Sequence, residues 1–180
     1  MKFAIKETSE VYVELYPFAQ SFNKKIVEES KCLSFISGNE KYNADGGLTN
    51  VRALQTTVLY DIKQLPSMDN FINWLLNLAN QELPYPNALL DLRVDHFWLA
   101  NYNKGDHTIS HKHTPAIFSF VYFVQTPKGS SPLVFTSSGK KVKAEEGKMV
   151  IFSGHVLHHV PKNRCNGRIV IAGNIIGNFE

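Results

Sequence analysis

The sequence predicts a mainly β fold with α, a double-stranded β-helix (jelly roll) braced by N-terminal helices. Two observations lead to this prediction. The first half contains segments with helical periodicity, and from about Leu92 short apolar runs alternate with turn motifs. Helices followed by a series of antiparallel strands are typical of such a double-sheet barrel. No repeat or long linker divides the 180 residues, so we expect a single domain, 1–180, with residues 1–90 as mixed support and 91–180 as the jelly-roll core.

The first part of the support is predicted to contain strands, a helix and a loop. A helix over 18–31 places Phe18, Phe22 and Ile26 on one side. Strands are predicted at residues 2–5 and 11–16, and an exposed, turn-rich loop at 38–50.

A second helix is predicted after Pro66. Ser67 can cap its first turn, and Asp69 favours the positive end of the helix dipole. Its apolar residues recur at the spacing of a core-facing stripe: Phe71, Trp74, Leu75 and Leu78. This stripe predicts core packing rather than ligand binding.

The second half is predicted to form seven strands separated by turns rich in Gly, Asn, Ser and Pro. The strands are predicted at residues 92–102, 109–113, 117–125, 133–136, 149–152, 155–160 and 168–176.

Composition and charge exclude several classes of protein. With 43% hydrophobic and 12% aromatic residues, the chain is not disordered, collagenous or a coiled coil. The formal net charge is +3 and the basic residues are scattered, so no nucleic-acid partner is expected. Cys32 and Cys165 are predicted to be free thiols in a reducing compartment. The sequence has no apolar run near the roughly 20 residues of a membrane span and no signal-peptide core, so we expect a cytoplasmic protein without a membrane partner.

Histidines provide the strongest chemical signal. Six of the seven form two clusters, His107, His111 and His113, then His155, His158 and His159, whereas His96 stands apart. Residues two apart on a strand face the same side, so an extended segment 109–113 would direct His111 and His113 to one point. A third histidine from the second cluster would complete a three-ligand metal site with open positions, as in non-heme iron oxygenases.

The histidines have two other interpretations, a zinc protease site and surface or packed side chains. The sequence HVLHH has no glutamate after its first histidine and lies in β-like surroundings, which argues against a zinc protease. A single His-x-His pair is weak evidence for a metal. Two clusters within one predicted jelly roll favour a metal site over surface or packed histidines, without identifying the metal.

Arg168 begins the apolar run RIVIAGNII. A buried arginine is costly unless an anion pairs with it, and its planar guanidinium suits a carboxylate. Its partner is expected to be an internal Asp or Glu, or a small dicarboxylate that also chelates the metal.

The ordered motifs HKH, SFVYFV, GKMVIFSGHVLHHV and RIVIAGN resemble the Fe(II)- and 2-oxoglutarate-dependent oxygenases. Within that superfamily the chain is most similar to the small prolyl-4-hydroxylase-like group of marine microbes and phages, in which NYxxGD precedes the HxH segment. The resemblance covers about residues 95–178. It implies a dioxygenase that uses Fe(II) and 2-oxoglutarate to hydroxylate an unactivated C–H bond, with a peptidyl proline as the suggested substrate. It leaves the use of ascorbate open.

The resemblance also implies roles for individual residues. His111, His113 and His158 would bind the iron, and Arg168 would grip the far carboxylate of 2-oxoglutarate. Tyr102, within NYNKGD, would border the cosubstrate pocket. His155 and His159 are expected to face away from the metal.

Two features depart from the usual pattern. His113 occupies a position where the superfamily commonly has Asp or Glu, and Asp106 is the nearest alternative carboxylate. A neutral imidazole leaves more positive charge on the metal. Relatives commonly have Tyr-Tyr-Leu at 122–124 and a hydroxyl residue at Ala172, so some hydrogen bonds to 2-oxoglutarate are expected to be missing.

Two alternative functions remain open on the sequence alone. A cupin-like three-histidine metalloenzyme without 2-oxoglutarate accounts for His113 but leaves Arg168 unexplained. A non-catalytic β-sandwich binding module would make the histidines incidental.

Residues 38–50 and the N-terminal section are expected to form a wall over the mouth of the barrel. Their residues do not name a ligand, and the sequence does not define the oligomeric state.

Overall fold

Two antiparallel sheets face each other, and two α-helices cover the outer side of the larger sheet. The computed structural model describes residues 8–38, 49–57, 59, 62–81 and 91–178. The strand predicted at 2–5 and most of the loop predicted at 38–50 lie outside these residues. None of the described helices is long and apolar enough to cross a membrane.

The elements follow one another with short connections in the second half. In chain order they are β1 (Val11–Leu15), α1 (Ala19–Glu29), β2 (Phe35–Ser37), β3 (Val51–Arg52), β4 (Leu54–Thr56), α2 (Met68–Gln81), β5 (Asp91–Tyr102), β6 (His107–His111), β7 (Phe118–Gln125), β8 (Leu133–Phe135), β9 (Lys141–Val142), β10 (Lys148–Ser153), β11 (His158–Val160) and β12 (Arg168–Asn178). Single 3₁₀ turns lie at Ser30–Cys32 and Ile62–Gln64.

The described strands form a large sheet of seven, in the order β1-β10-β7-β12-β5-β4-β2, and a small sheet of five, in the order β3-β6-β11-β8-β9. All pairings between the named strands are antiparallel. The predicted jelly roll braced by N-terminal helices is therefore confirmed. The first half does more than brace it, because β1, β2 and β4 extend the large sheet and β3 joins the small one.

Two of the predicted strands differ most from the bounds in the structure, whereas the other predicted strands that lie within the described residues agree to within two residues at each end. The strand predicted at 109–113 is β6 and ends at His111, because Pro115 lacks a backbone N–H and restricts the residue before it. The strand predicted at 155–160 is only β11, His158–Val160. A turn precedes it, in which the Val156 N–H donates to the Ser153 carbonyl at 3.0 Å.

The helices pack on the large sheet through a cluster of aromatic rings. The Phe71 ring of α2 stacks on the Phe22 ring of α1, with the ring centroids 4.9 Å apart, and it packs edge-on against the Tyr122 ring of β7, with the centroids 4.8 Å apart. The helix predicted over 18–31 is α1, Ala19–Glu29, so Phe18 does not share a helical face with Phe22 and Ile26. Phe18 precedes the first helical residue of α1 and is 68% exposed. The Ser67 hydroxyl, predicted to cap α2, donates instead to the Glu29 carboxylate at the end of α1.

A second core fills the space between the two sheets. Side chains alternate along β7, so that Phe120 and Tyr122 face the helices while Val121 and Phe123 face the small sheet. The same alternation on β12 directs Val170 inward and Ile171 outward. The inner core surrounds the candidate functional site, and the outer core holds the helices.

Replacing Phe71 with alanine should lower the free energy of unfolding by about 3–5 kcal/mol, because its fully buried ring contacts both helices and the sheet. Phe18→Ala is the matched control, since the Phe18 ring is mostly exposed, and it should cost no more than about 0.5 kcal/mol. Urea denaturation measures both values. Equal losses would show that the aromatic cluster does not couple the helices to the sheet.

Candidate metal centre

Three imidazoles converge on the inner side of the small sheet. His111 ends β6, His158 begins β11, and the two residues are paired in register. His113 lies two residues beyond β6. One ring nitrogen from each residue lies within 4.8 Å of the others, and the Nε2 atoms of His111 and His113 are 3.1 Å apart. We call these three residues the histidine cluster.

Backbone contacts hold His113 in place after the strand has ended. The His113 N–H donates to the Gly154 carbonyl at 2.7 Å, and the Ala116 N–H donates to the His113 carbonyl at 2.8 Å. Gly154 is required here, because a Cβ atom at this position would lie 2.2 Å from the Ala116 carbonyl oxygen. The third imidazole is therefore positioned by two adjoining turns rather than by strand geometry.

Carbonyl groups fix the tautomers of the other two rings. The Nδ1 atom of His111 lies 2.8 Å from the Ile109 carbonyl oxygen, and that of His158 lies 2.9 Å from the Val156 carbonyl oxygen. A carbonyl only accepts hydrogen bonds, so each Nδ1 carries the hydrogen. Each Nε2 then presents a lone pair, as a metal-binding histidine requires.

The environment keeps all three imidazoles neutral. Burial lowers the pKa of His113 to about 3, with further contributions from the nearby His111, His158 and His96. Burial and the neighbouring His111 lower the pKa of His158 to about 4, and burial lowers the pKa of His111. Neutral imidazole is the form that binds a metal ion, so at neutral pH no proton has to leave these rings first.

The donor set fits a transition-metal ion. Two nitrogens that bind one ion at about 2.1 Å and a right angle lie about 3.0 Å apart, close to the observed 3.1 Å. Imidazole suits iron, zinc, copper and nickel. Asp106, the alternative carboxylate, contacts a turn instead, where its Oδ2 accepts from the Asn103 N–H at 2.8 Å. Among the described residues, the histidine cluster is the group found with metal-binding geometry.

Arg168 lies fully buried at the start of β12 with part of its guanidinium unpaired. Its Nε donates to the Ser131 carbonyl at 3.0 Å, and its Cζ lies 4.5 Å from the centroid of the Tyr102 ring. Nη1 and Nη2 have no hydrogen-bond partner, and none of the ion pairs in the described part of the chain involves Arg168. Burial lowers the pKa of the Arg168 guanidinium. An internal Asp or Glu partner is thus not found among the described residues.

One chamber between the sheets joins the histidine cluster to Arg168. The Tyr102 ring lies against the guanidinium, and its hydroxyl is 2.7 Å from the Thr108 hydroxyl. The wall is largely apolar and consists of Val51, Trp98, Tyr102, Thr108, His111, His113, Ser119, Phe120, Val121, Leu133, Phe152, His158, Val160, Arg168, Val170 and Ala172. The chamber thus offers metal-binding nitrogens and an unpaired cation within an apolar enclosure.

The neighbouring histidines make other contacts. His155 is exposed and its Nδ1 lies 2.7 Å from the Ser153 hydroxyl, while His159 Nδ1 lies 2.9 Å from the Thr136 hydroxyl.

The sequence did not predict two groups that position the side chains of the site, the Ser131 carbonyl beside Arg168 and the Thr108 hydroxyl beside Tyr102. A carbonyl carries no residue-specific signal, and Thr108 could have been noticed only through its place in the strand next to Tyr102.

The fold is similar to that of known oxygenases. A prolyl-4-hydroxylase from Pseudomonas putida aligns with a TM-score of 0.67 at 17% identity, covering 93% of this chain and 92% of that one. A viral collagen prolyl hydroxylase from Paramecium bursaria Chlorella virus-1, solved with 2-oxoglutarate, aligns with a TM-score of 0.62 at 12% identity, covering 92% of this chain and 94% of that one. A prolyl hydroxylase from Trichoplax adhaerens, solved with a hypoxia-inducible-factor peptide, aligns with a TM-score of 0.65 at 12% identity, covering 91% of this chain and 82% of that one.

These three similarities establish that the chain has the double-stranded β-helix fold of the prolyl hydroxylases. A 2OG-Fe(II) oxygenase family protein from Burkholderia pseudomallei shares it, with a TM-score of 0.66 at 14% identity over 92% of this chain and 85% of that one. No protein-family model and no curated protein matches the sequence. The fold implied by the sequence motifs is thus confirmed at the level of structure.

Substituting His158 with alanine should weaken binding of a divalent transition metal by about 100-fold or more, because one of three ligand nitrogens is lost. His159→Ala is the matched control, since the adjacent ring contacts Thr136 and should leave affinity unchanged within about twofold. Competition with a chromophoric chelator measures both affinities. Equal losses in the two variants would exclude the histidine cluster as the binding site.

Proposed function

We propose that the protein is an Fe(II)- and 2-oxoglutarate-dependent dioxygenase that hydroxylates an unactivated C–H bond. The observation that carries this proposal is the chamber that joins the histidine cluster to a buried guanidinium with two unpaired nitrogens. A dicarboxylic keto acid matches both ends, because one end can chelate a metal and the other can pair with Arg168.

In this proposal His111, His113 and His158 hold the iron through Nε2. When bound, iron and 2-oxoglutarate supply the oxidising chemistry, in which dioxygen is consumed and 2-oxoglutarate is decarboxylated to succinate. The protein orients these groups and excludes water from them. The carbonyls of Ile109 and Val156 keep the ring hydrogens of His111 and His158 away from the metal side, so neither of these two rings has to change tautomer during the reaction.

The cosubstrate end depends on Arg168 and Tyr102. The Nη1 and Nη2 atoms of Arg168 offer hydrogen bonds to the distal carboxylate, and the Tyr102 hydroxyl lies beside this end of the chamber. The Tyr102 hydroxyl oxygen lies 2.7 Å from Thr108 Oγ1, and this hydrogen bond fixes its position. The guanidinium, which is costly to bury alone, would thereby gain its anion.

A peptide is the substrate class that the proposal favours. The chain shares its fold with prolyl hydroxylases, one of which was solved with a peptide. A peptidyl proline is therefore the first substrate to test. The alternative of a cupin-like enzyme without 2-oxoglutarate gains from the three-histidine donor set, but it leaves the unpaired guanidinium without a role.

An anaerobic absorption titration tests the cosubstrate. Iron(II) and then 2-oxoglutarate are added to the metal-free protein, and the weak charge-transfer band of an iron-chelated keto acid is expected. In Arg168→Met the iron affinity should persist, whereas the 2-oxoglutarate affinity should fall by about 100-fold because the bidentate partner is lost. In the absence of cosubstrate this variant should also be about 1–4 kcal/mol more stable, since a buried unpaired charge is removed.

Each result of this titration decides between functions. Iron binding without the band would favour the three-histidine enzyme that does not use 2-oxoglutarate. Absence of iron binding would favour a non-catalytic module. Equal 2-oxoglutarate affinity in the Arg168→Met variant would remove Arg168 from the proposed site.

Changing His113 to aspartate should preserve or strengthen iron(II) binding, because it restores the usual set of two histidines and one carboxylate. Iron affinity in this variant, measured by chelator competition, is compared with that of His113→Ala, which removes the ligand and should bind at least about tenfold more weakly. Loss of iron from a folded His113→Asp protein would show that the position requires imidazole or that it does not bind the metal.

A further inference from the structure

A groove lies between α1 and α2 on the outer side of the molecule, and the proposed function makes no use of it. Its wall includes the rings of Tyr16, Phe18, Phe22 and Trp74, and its volume is about 760 Å³. We call it the helix groove. Small-molecule binding sites typically have volumes of about 300–1,000 Å³. The helix groove is therefore large enough for a small organic ligand.

The large sheet separates the helix groove from the chamber of the candidate site. Tyr16 and Phe22 belong to the outer core, on the side of the sheet that packs against the helices. The described residues that line the helix groove and those that line the chamber have no member in common. A ligand in the helix groove would thus contact neither the histidine cluster nor Arg168, and its binding would require neither iron nor 2-oxoglutarate.

Tyr16 lies at the centre of the aromatic wall. The centroid of its ring is 4.8 Å from that of Trp74, 5.2 Å from that of Phe22 and 5.8 Å from that of Phe18. The contacts with Phe18 and Phe22 are edge-on, and the contact with Trp74 is tilted. Aromatic rings favour these arrangements, so the wall can accept one more ring, supplied by a ligand.

The Phe18 ring is exposed although its backbone is held in place. The side chain is 68% exposed, whereas the Phe18 carbonyl accepts hydrogen bonds from the Phe22 N–H at 3.0 Å and from the Ser21 hydroxyl at 3.1 Å. A ligand that covers this ring removes apolar surface from water, which favours binding. Because the backbone is ordered before the ligand arrives, little backbone entropy is lost here on binding.

Two polar groups in the helix groove lack a partner. None of the ion pairs in the described part of the chain involves the Lys25 ammonium, which lies in the wall. The Tyr16 hydroxyl makes no hydrogen bond with the described residues. Burial raises the pKa of Tyr16, so this hydroxyl keeps its hydrogen and can donate it. An ammonium and a hydroxyl donor together suit an anion.

Acidic residues near the helix groove do not neutralise Lys25. The described part of the wall contains no carboxylate. Glu29 contacts the wall residue Ser67, but its carboxylate already accepts from the Ser67 N–H and hydroxyl. Asp69, at the start of α2, does not line the helix groove. The charge that a ligand meets in the wall is therefore the single positive charge of Lys25.

We propose that the helix groove binds a small aromatic monocarboxylate. The ring of the ligand packs against Phe18 and Trp74, and its carboxylate pairs with Lys25 and accepts from the Tyr16 hydroxyl. One ammonium matches one negative charge, which favours a monocarboxylate over a phosphate or a dicarboxylate. The wall contains residues of α1, of α2 and of the segment between β1 and α1, so the bound ligand joins these elements.

Equilibrium dialysis of the metal-free protein against 2-naphthylacetate tests the site, with the ligand measured by its own fluorescence. A naphthyl alcohol and a naphthyl amine of the same size, 2-(2-naphthyl)ethanol and 2-(2-naphthyl)ethylamine, are the neutral and the cationic probes. The carboxylate should bind about tenfold more tightly than the amine, because Lys25 attracts one and repels the other. Saturating 2-oxoglutarate should leave this affinity unchanged.

Two variants at exposed positions test the assigned contacts, each with a matched control. Phe18→Ala should weaken the binding of 2-naphthylacetate by about tenfold, since the ring that the ligand covers is lost. Val13→Ala alters another exposed apolar side chain, outside the wall, and should leave the affinity unchanged within about twofold. Lys25→Glu should reverse the preference, so that the amine binds more tightly than the carboxylate. Lys24→Glu changes the net charge equally from outside the wall and should retain the preference for the carboxylate.

Arg168→Met separates the helix groove from the chamber, which also offers an unpaired cation. Its affinity for 2-naphthylacetate should equal that of the unaltered protein, and a loss of binding would place the carboxylate in the chamber instead. Four other results would also overturn the proposed site. They are an absence of binding, equal affinities for the carboxylate and the amine, an unchanged affinity in Phe18→Ala, and an unchanged preference in Lys25→Glu.

Discussion

The buried guanidinium of Arg168 is the constraint on which the organisation of the site depends. A fully buried charge with two unpaired nitrogens is costly, and the Ser131 carbonyl and the Tyr102 ring offset only part of that cost. Arg168 is the first residue of the central strand β12, and its side chain projects into the space between the large and the small sheet. Within the described part of the chain, this unpaired guanidinium therefore creates a site for an anion in the middle of the inner core.

The two faces of the large sheet have different roles: the outer face packs against the helices, and the inner face lines the chamber of the candidate site. On β12, Ile169 and Ile171 point toward the helices, whereas Val170 and Ala172 point into the chamber. The central strands are buried on both faces, which is why β12 and β7 read as almost continuous apolar runs. Helix packing can thus stabilise the sheet from outside while the inner face remains available for polar groups.

The fold could be predicted from the sequence more completely than the local geometry of the site could. The central strands and both helices could be located because they are long enough for periodicity to be read. The two-residue strands β3 and β9 contain too few residues to show alternation, although β3 extends the small sheet beside β6. The segment HKH suggested two imidazoles on one extended strand. The strand ends at His111, and His113 reaches the same point through its contact with Gly154, a residue 41 positions away that no local pattern could identify.

The identity of residue 113 determines the charge of the proposed site. A divalent ion with three neutral imidazoles, together with the Arg168 guanidinium, presents three positive charges within the chamber, and a dicarboxylate cancels two of them. The usual carboxylate ligand would cancel the third. Since charges interact more strongly in a low-dielectric enclosure than in water, this difference affects both the retention of the dianion and the redox balance of the metal. In the proposed complex the metal would supply part of the attraction for the dianion, because neutral protein ligands would leave its charge intact, and Arg168 would supply the rest.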